Sequence, residues 1–248
     1  MSIAGKIMGK LDRSIARYAS VKSKAWDFDK PIVSFTFDDC PRSAITVGGE
    51  ILKNRGVSGT FYLCGGLTNG FENELPCQTE EDLAYLVETG HELASHLYNH
   101  KRCEELTKDQ LALEVDLSKN YLNSITGTDV QLNFSYPFGS INLRAKKMIS
   151  KQFLTGRGIN PGLNVGKLDL SCLKANALYE HKISEQSIAL LIDEAVRRKS
   201  WLIFYTHDVQ TLPSPYGVTP DTLEYAVDYA LQKNCKISSI AQVMNNFQ

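Results

Sequence analysis

Short runs of β-branched and aromatic residues alternate along the chain with longer segments whose apolar positions recur at helical spacing, the pattern that βα units around a parallel sheet produce. The runs PIVSFTF (31–37), VSGTFYLC (57–64), HELAS (91–95), QLNFSY (131–136), FLTGR (153–157) and WLIFYT (201–206) predict strands. Between them, SAITVGGEILKNRG (43–56) predicts a helix stopped by glycine, and TEEDLAYLVETG (79–90) one opened by a threonine cap and an acidic first turn. SEQSIALLIDEAVRRK (184–199) predicts a third, running from a serine cap to a basic end. Residues 160–179 follow neither period, and no repeat, low-complexity tract or Pro/Ser-rich linker interrupts the chain. A single domain over 1–248 is expected, with 1–30 as an N-terminal helical extension.

That extension places Ile3, Ile7, Met8, Leu11 and Ile15 at helical spacing, with Lys6, Lys10, Arg13 and Arg17 around them. Such a helix packs on its own domain, the favoured reading, or associates weakly with an anionic membrane surface.

Composition narrows the function classes. The chain is 43% hydrophobic and 22% charged, enough apolar side chain for a large core. With 27 basic against 28 acidic residues the net charge is -1, so no long-range field draws it to nucleic acid. The six cysteines (Cys40, Cys64, Cys77, Cys103, Cys172, Cys235) form no CxxC pair and read as reduced thiols. No apolar run approaches the ~20 residues that span a bilayer, and the opening residues lack the apolar core of a signal peptide. A cytoplasmic location is expected.

The chemistry-bearing residues fall at the carboxyl ends of predicted strands: Asp38 and Asp39, then His96 and His100, then Pro137 and Phe138, then His207 and Asp208. In a parallel barrel those ends converge on one face. Adjacent acids repel each other unless a positive charge sits between them or one stays protonated. HLYNH offers imidazoles at i and i+4, which share a face in a helix or meet in a loop. Two histidines and a carboxylate leave coordination positions open, as catalytic first-row metal sites require. His91 and His181 read as structural or surface residues.

In this order the motifs resemble the NodB-type polysaccharide deacetylases of carbohydrate esterase family 4. SFTFDDCP is similar to the family's TFDDGP, GHELASHLYNH to GHEIxxHxxxH, and TFYLCG to the strand between them; FSYPFG is a degenerate FRPPYG, and IFYTHD resembles the terminal LLHD. The resemblance implies an α/β fold, a distorted (β/α) barrel with about seven parallel strands. It also implies hydrolysis of an N-acetyl or related acyl group on a sugar. Carried over by motif, Asp39, His96 and His100 bind a divalent metal, zinc foremost, with Co, Mn, Ni or Fe as alternatives. Asp38 is the base that deprotonates the metal-activated water, the backbone N–H of Phe138 helps hold the oxyanion, and His207 protonates the departing amine.

The departures from the family matter as much. Ser135 stands where the family has an arginine that holds the base, and no DxxDW-like segment supplies an aspartate for the acid histidine. Arg157, in TGRGINPG, is the nearest substitute for the arginine or else a contact for a substrate carboxylate or phosphate. Tyr136 and Tyr205 are candidate sugar platforms on the cavity wall. Cys40 replaces a glycine and Leu97 a Ser or Thr of the family pattern. The expected function is a metal-dependent deacetylase acting on a carbohydrate, with a nucleotide- or lipid-linked precursor of surface polysaccharide as substrate. Its rivals are a non-catalytic carbohydrate-binding relative and a 2-His-1-carboxylate iron oxygenase.

Overall fold

The computed structural model describes residues 12, 14–26, 28–127 and 133–246. Its strands are β1 (Ser23–Trp26), β2 (Ile32–Asp38), β3 (Thr60–Leu63), β4 (Phe71–Glu72), β5 (Leu75–Pro76), β6 (Glu92–Ser95), β7 (Phe134–Ser135), β8 (Gly156–Arg157), β9 (Gly166–Asp169), β10 (Asn176–Ala177), β11 (Trp201–Thr206) and β12 (Lys236–Ile237). The helices are α1 (Glu50–Asn54), α2 (Glu80–Glu88), α3 (Lys108–Thr126), α4 (Leu143–Gln152), α5 (Glu185–Arg198), α6 (Pro220–Gln232) and α7 (Ile240–Asn245).

The parallel sheet runs β10-β11-β2-β3-β6-β7-β8, and β12 also pairs with β2. The far edges approach through residues 173–177: Leu173 bridges Arg157 of β8 in parallel, and Asn176 pairs with Phe204 of β11. The result is the distorted (β/α) barrel expected from the sequence.

Strand alternation explains both cores. Along β2, Val33, Phe35 and Phe37 join the outer core beneath the helices, while Ile32 joins the inner core. In β11, Leu202 and Phe204 face outward, and Trp201, Ile203 and Tyr205 face the barrel interior. Both faces are buried, so these strands read as continuous apolar runs. On β2 and β11 polar atoms of the inner face are bonded: Trp201 Nε1 donates to Ser34 Oγ at 2.9 Å, and Ser34 Oγ to Ser238 O at 2.6 Å. The period of two carries the inner face of β2 through Ser34 and Thr36 to Asp38, so the strand delivers a carboxylate at the mouth of the barrel.

Local signals produce the helices where they were expected. Thr79 caps α2 in a reciprocal box with Asp82, its side chain accepting from the Asp82 N–H at 3.2 Å while Asp82 Oδ2 accepts from Thr79 N at 2.9 Å. Ser184 caps α5 through the Ser187 N–H at 3.2 Å. The helix expected over 43–56 starts as a wider turn over Ala44–Gly49 before α1. There Gly48 rests against Phe37, whose ring would lie 2.9 Å from any added Cβ. Among the described residues β3, β6, β7 and β8 are each shorter than the run that predicts them, and the irregular region 160–179 holds β9 and β10. β9 pairs antiparallel with β1.

Of the amphipathic N-terminal pattern, Ile3, Lys6, Ile7, Met8, Lys10, Leu11 and Arg13 lie outside the described residues. Ile15 is exposed and Ala16 is buried. Buried Lys146 anchors this segment, donating to Ala16 O and Ala19 O at 2.7 Å each and pairing with Asp169 at 2.6 Å.

Candidate active site

Asp38 closes β2 on the inner face, and the next two residues turn sharply: Asp39 and Cys40 both take positive φ, 60° and 54°. Left-handed backbone at two consecutive residues with side chains costs about 1–2 kcal/mol each and must be held by its surroundings. The Cys40 N–H donates to Asp38 O at 2.6 Å, and the buried Cys40 thiol packs against Phe37 O and Tyr62 O. Cys40 is thus small filler under the turn that swings Asp39 into the mouth. Burial pushes its thiol well above the ordinary range.

His96 and His100 follow β6 on a loop, with Leu97 and His100 at φ of 60° and 49°. Of the two arrangements open to HLYNH, the loop is the one formed. Buried Glu114 of α3 holds it, accepting from Asn99 N and Asn99 Nδ2 at 2.9 Å each and from Lys101 Nζ at 2.8 Å.

The three candidate ligands converge. His96 Nε2 lies 3.2 Å and His100 Nε2 3.0 Å from Asp39 Oδ1, and one ligand atom from each residue falls within 4.8 Å of the others. The far ring nitrogens are occupied: His96 Nδ1 is 3.0 Å from Ser135 O, and His100 Nδ1 is 3.0 Å from Glu72 Oε1. A carbonyl and a carboxylate only accept, so each Nδ1 carries the proton and each neutral ring turns the lone pair of Nε2 inward. Three acceptors then face one another, and buried Asp39 Oδ1 has no hydrogen-bond donor. That donor set fits a divalent cation. Burial raises the Asp39 pKa; where protons rather than a metal occupy the inward Nε2 atoms, hydrogen bonds from His100 and His96 outweigh burial and hold the carboxyl well below its ordinary range. Burial likewise disfavours charge on His100, and Asp39 and Glu72 override it, raising that pKa.

Asp38 is held by an arginine, though not one from its own motif. Arg157 of β8 is 1% exposed, and its Nη2 reaches both carboxylate oxygens of Asp38. Its guanidinium lies between the rings of Tyr62 and Tyr205, 5.1 and 5.0 Å from their centroids. Burial lowers the Arg157 pKa, and Asp38 more than reverses this. The substrate contact expected of Arg157 is therefore corrected: the guanidinium is beneath the cavity floor and committed to Asp38, the other role open to it. Ser135, where the family arginine would stand, leaves room for this crossing from the next strand, with its hydroxyl 3.5 Å from Asp38 Oδ1.

His207 follows β11 on the opposite side, with Nε2 3.6 Å from Asp39 Oδ2 and Nδ1 3.3 Å from Tyr216 O. A backbone carbonyl thus orients it in place of an aspartate. Asp208, fully buried, secures the loop that brings this carbonyl, accepting from Ser214 N at 2.8 Å and Gln210 Nε2 at 2.9 Å. Phe138, at φ 58°, lies on the third wall; its ring stacks on His100 at 4.2 Å between centroids.

Together these residues line a cavity of about 670 Å³. Tyr136 and Tyr205 lie on its floor, 2% and 7% exposed, and the Tyr136 hydroxyl donates to Ser171 O at 2.9 Å. Both line the cavity as expected, while the more exposed rings on it are Phe138, already in contact with His100 and Arg102, and Tyr216, 49% and 52% exposed. Sequence reasoning missed Glu72, Tyr179 and Tyr216, none of which lies in a motif. His91 is structural: its Nδ1 accepts from the Gly59 N–H at 3.0 Å. Among the described residues no helix is long and apolar enough to cross a membrane.

Residues 26–155 match the family model described as polysaccharide deacetylase. A bifunctional xylanase/deacetylase of Pseudobutyrivibrio xylanivorans is 27% identical over 128 residues, covering 52% of this chain but only 20% of that protein's length. The Xyl-CE4 domain of a multidomain xylanase from the hindgut metagenome of Trinervitermes trinervoides shares the fold, with a TM-score of 0.59 at 18% identity over 88% of this chain and 91% of that one. A CE4 family pseudoenzyme from Bacillus anthracis does so with a TM-score of 0.57 at 15% identity, over 87% and 66% of the two chains.

Proposed function

The chain belongs to the polysaccharide deacetylase family, and on that premise we propose that it is a metal-dependent hydrolase removing an N-acetyl or related acyl group from a sugar. One observation carries the reading: buried Asp39 Oδ1 has no donor, and the inward Nε2 atoms of His96 and His100 face it at 3.2 and 3.0 Å. Held by these three residues, a divalent cation, zinc foremost and Co, Mn, Ni or Fe otherwise, supplies a Lewis acid for the acyl oxygen and lowers the pKa of water.

The protein's own groups do the rest. Asp38, fixed by Arg157, takes a proton from the water that attacks the acyl carbon. The backbone N–H of Phe138 is the donor aimed at the acyl oxygen as negative charge grows on it. As the C–N bond breaks, His207 gives a proton from Nε2 to the leaving nitrogen, while Nδ1–H stays bonded to Tyr216 O. Acetate and a free amine result. The pairing of Asp38 with Arg157 and of His207 with Tyr216 O weakens the case for a non-catalytic binder, since the two orienting groups absent from the motifs have replacements.

The six unpaired, buried cysteines support a reducing compartment, and with it a nucleotide- or lipid-linked precursor of surface polysaccharide as substrate. Acetate release from a panel of N-acetyl sugars by metal-reconstituted protein tests the proposal against Asp38→Asn and His207→Ala. Each substitution is expected to cost about 10²–10⁴-fold in kcat. Undiminished release by both variants removes the proton-transfer assignments, and no release by the parent protein removes the function.

A further inference from the structure

Two cations stand at the rim of the cavity, and neither serves the chemistry just described. Arg102 and Lys182 line it and are exposed. Each is held over an aromatic ring that reaches an imidazole of the site. The Arg102 guanidinium lies 4.2 Å from the Phe138 centroid, and that ring stacks on His100. Lys182 Nζ lies 5.1 Å from the Tyr179 centroid, and Tyr179 is 5.8 Å from the ring of His207. The cations therefore flank the reaction centre on opposite sides.

They are not there to neutralise the wall. Its carboxylates are committed elsewhere: Asp38 to Arg157, Glu72 to His100, and Asp39 between the two histidines. Among the described residues neither Arg102 nor Lys182 has a carboxylate partner. With a divalent cation held at Asp39, His96 and His100 to balance Asp39 and Glu72, the two rim cations present uncompensated positive charge to whatever enters, beside the exposed ring of Tyr216. A neutral polysaccharide has no use for two such cations, whereas phosphate and carboxylate oxygens match them.

Resting on the deacetylase reading of this cavity, we propose that the acylated sugar bears an anionic group, a phosphate or a carboxylate, and that Arg102 and Lys182 bind it at the rim. Two sources share that chemistry, a nucleoside-diphosphate sugar and an oligosaccharide with uronic acid units. Calorimetric titration of the metal-loaded protein with UDP-N-acetylglucosamine, with a tetrasaccharide alternating N-acetylglucosamine and glucuronate, and with uncharged chitotetraose compares them directly.

At least one charged probe is expected to bind about tenfold more tightly than the neutral one, each exposed cation contributing a few-fold. The advantage should shrink when Arg102→Gln and Lys182→Gln are combined, and when ionic strength rises from about 50 to about 300 mM. The probe that shows it identifies the source. Equal binding of charged and neutral probes, no binding of either charged probe, or a preference that survives the double substitution overturns the proposal. Acetate release on the same probes separates the two readings. Deacetylation without charge preference leaves the hydrolase and removes the anion site; charge-dependent binding that follows the two cations, with no acetate from any probe, does the reverse.

Discussion

Arg157 and Asp38, 119 positions apart in the chain, meet as a buried ion pair at the floor of the cavity. The strand order explains how. β2 and β8 lie far apart along the sheet, but curvature brings their carboxyl ends across the barrel mouth. Arg157→Met leaves Asp38 buried without its counter-charge, and breaking such a pair costs about 3–5 kcal/mol. A lower midpoint in denaturant unfolding and a loss of kcat at unchanged metal content are expected. Arg157→Lys should not rescue, because an ammonium cannot lie flat between Tyr62 and Tyr205 and reach Asp38 while also donating to Gly158 O, as Nη1 does.

Glu72 acts on His100 from the β4–β5 hairpin, accepting from Nδ1–H at 3.0 Å. A carboxylate behind a ligating histidine fixes its tautomer and raises its basicity, and losing one typically costs about 10–100-fold in metal affinity. Glu72→Ala should weaken zinc binding by that factor in competition with a chromophoric chelator, with Glu72→Gln, which keeps an acceptor, in between. Unchanged affinity in both would make the contact incidental.

Asp169 gives the fold an acid-sensitive clasp. Burial raises its pKa, but Lys146 and Ser171 outweigh this and set it below the ordinary value of 3.8. A depressed carboxylate contributes stability that is present above its unfolded pKa and is lost as pH falls through the folded one. Stability should therefore fall from about pH 4 downward, and Asp169→Asn should flatten that limb while costing about 3 kcal/mol at neutral pH through the stranded Lys146. Urea unfolding from pH 2 to pH 7 measures both.

Local signals were legible and distant pairings were not. β2 and β11 were visible as apolar runs because both of their faces are buried, and α2 and α5 announced themselves through Thr79 and Ser184. Asp38, Asp39, His96, His100 and His207 could be placed at strand ends, which a parallel barrel gathers on one face. The partners that orient them could not. Glu72 lies on a two-residue strand with no apolar period, Tyr216 contributes only a backbone carbonyl, and Arg157 was ambiguous until burial showed which anion it faces.

Asp39, His96 and His100 are expected to grip one divalent cation jointly. Titrating chelator-stripped protein with zinc against a chromophoric competitor measures this directly, for the parent chain and for Asp39→Ala, His96→Ala and His100→Ala. One equivalent should bind to the parent, with a loss of at least about 100-fold in affinity for each variant. Failure of the parent to bind a stoichiometric ion, or binding that all three variants retain, would contradict that joint grip.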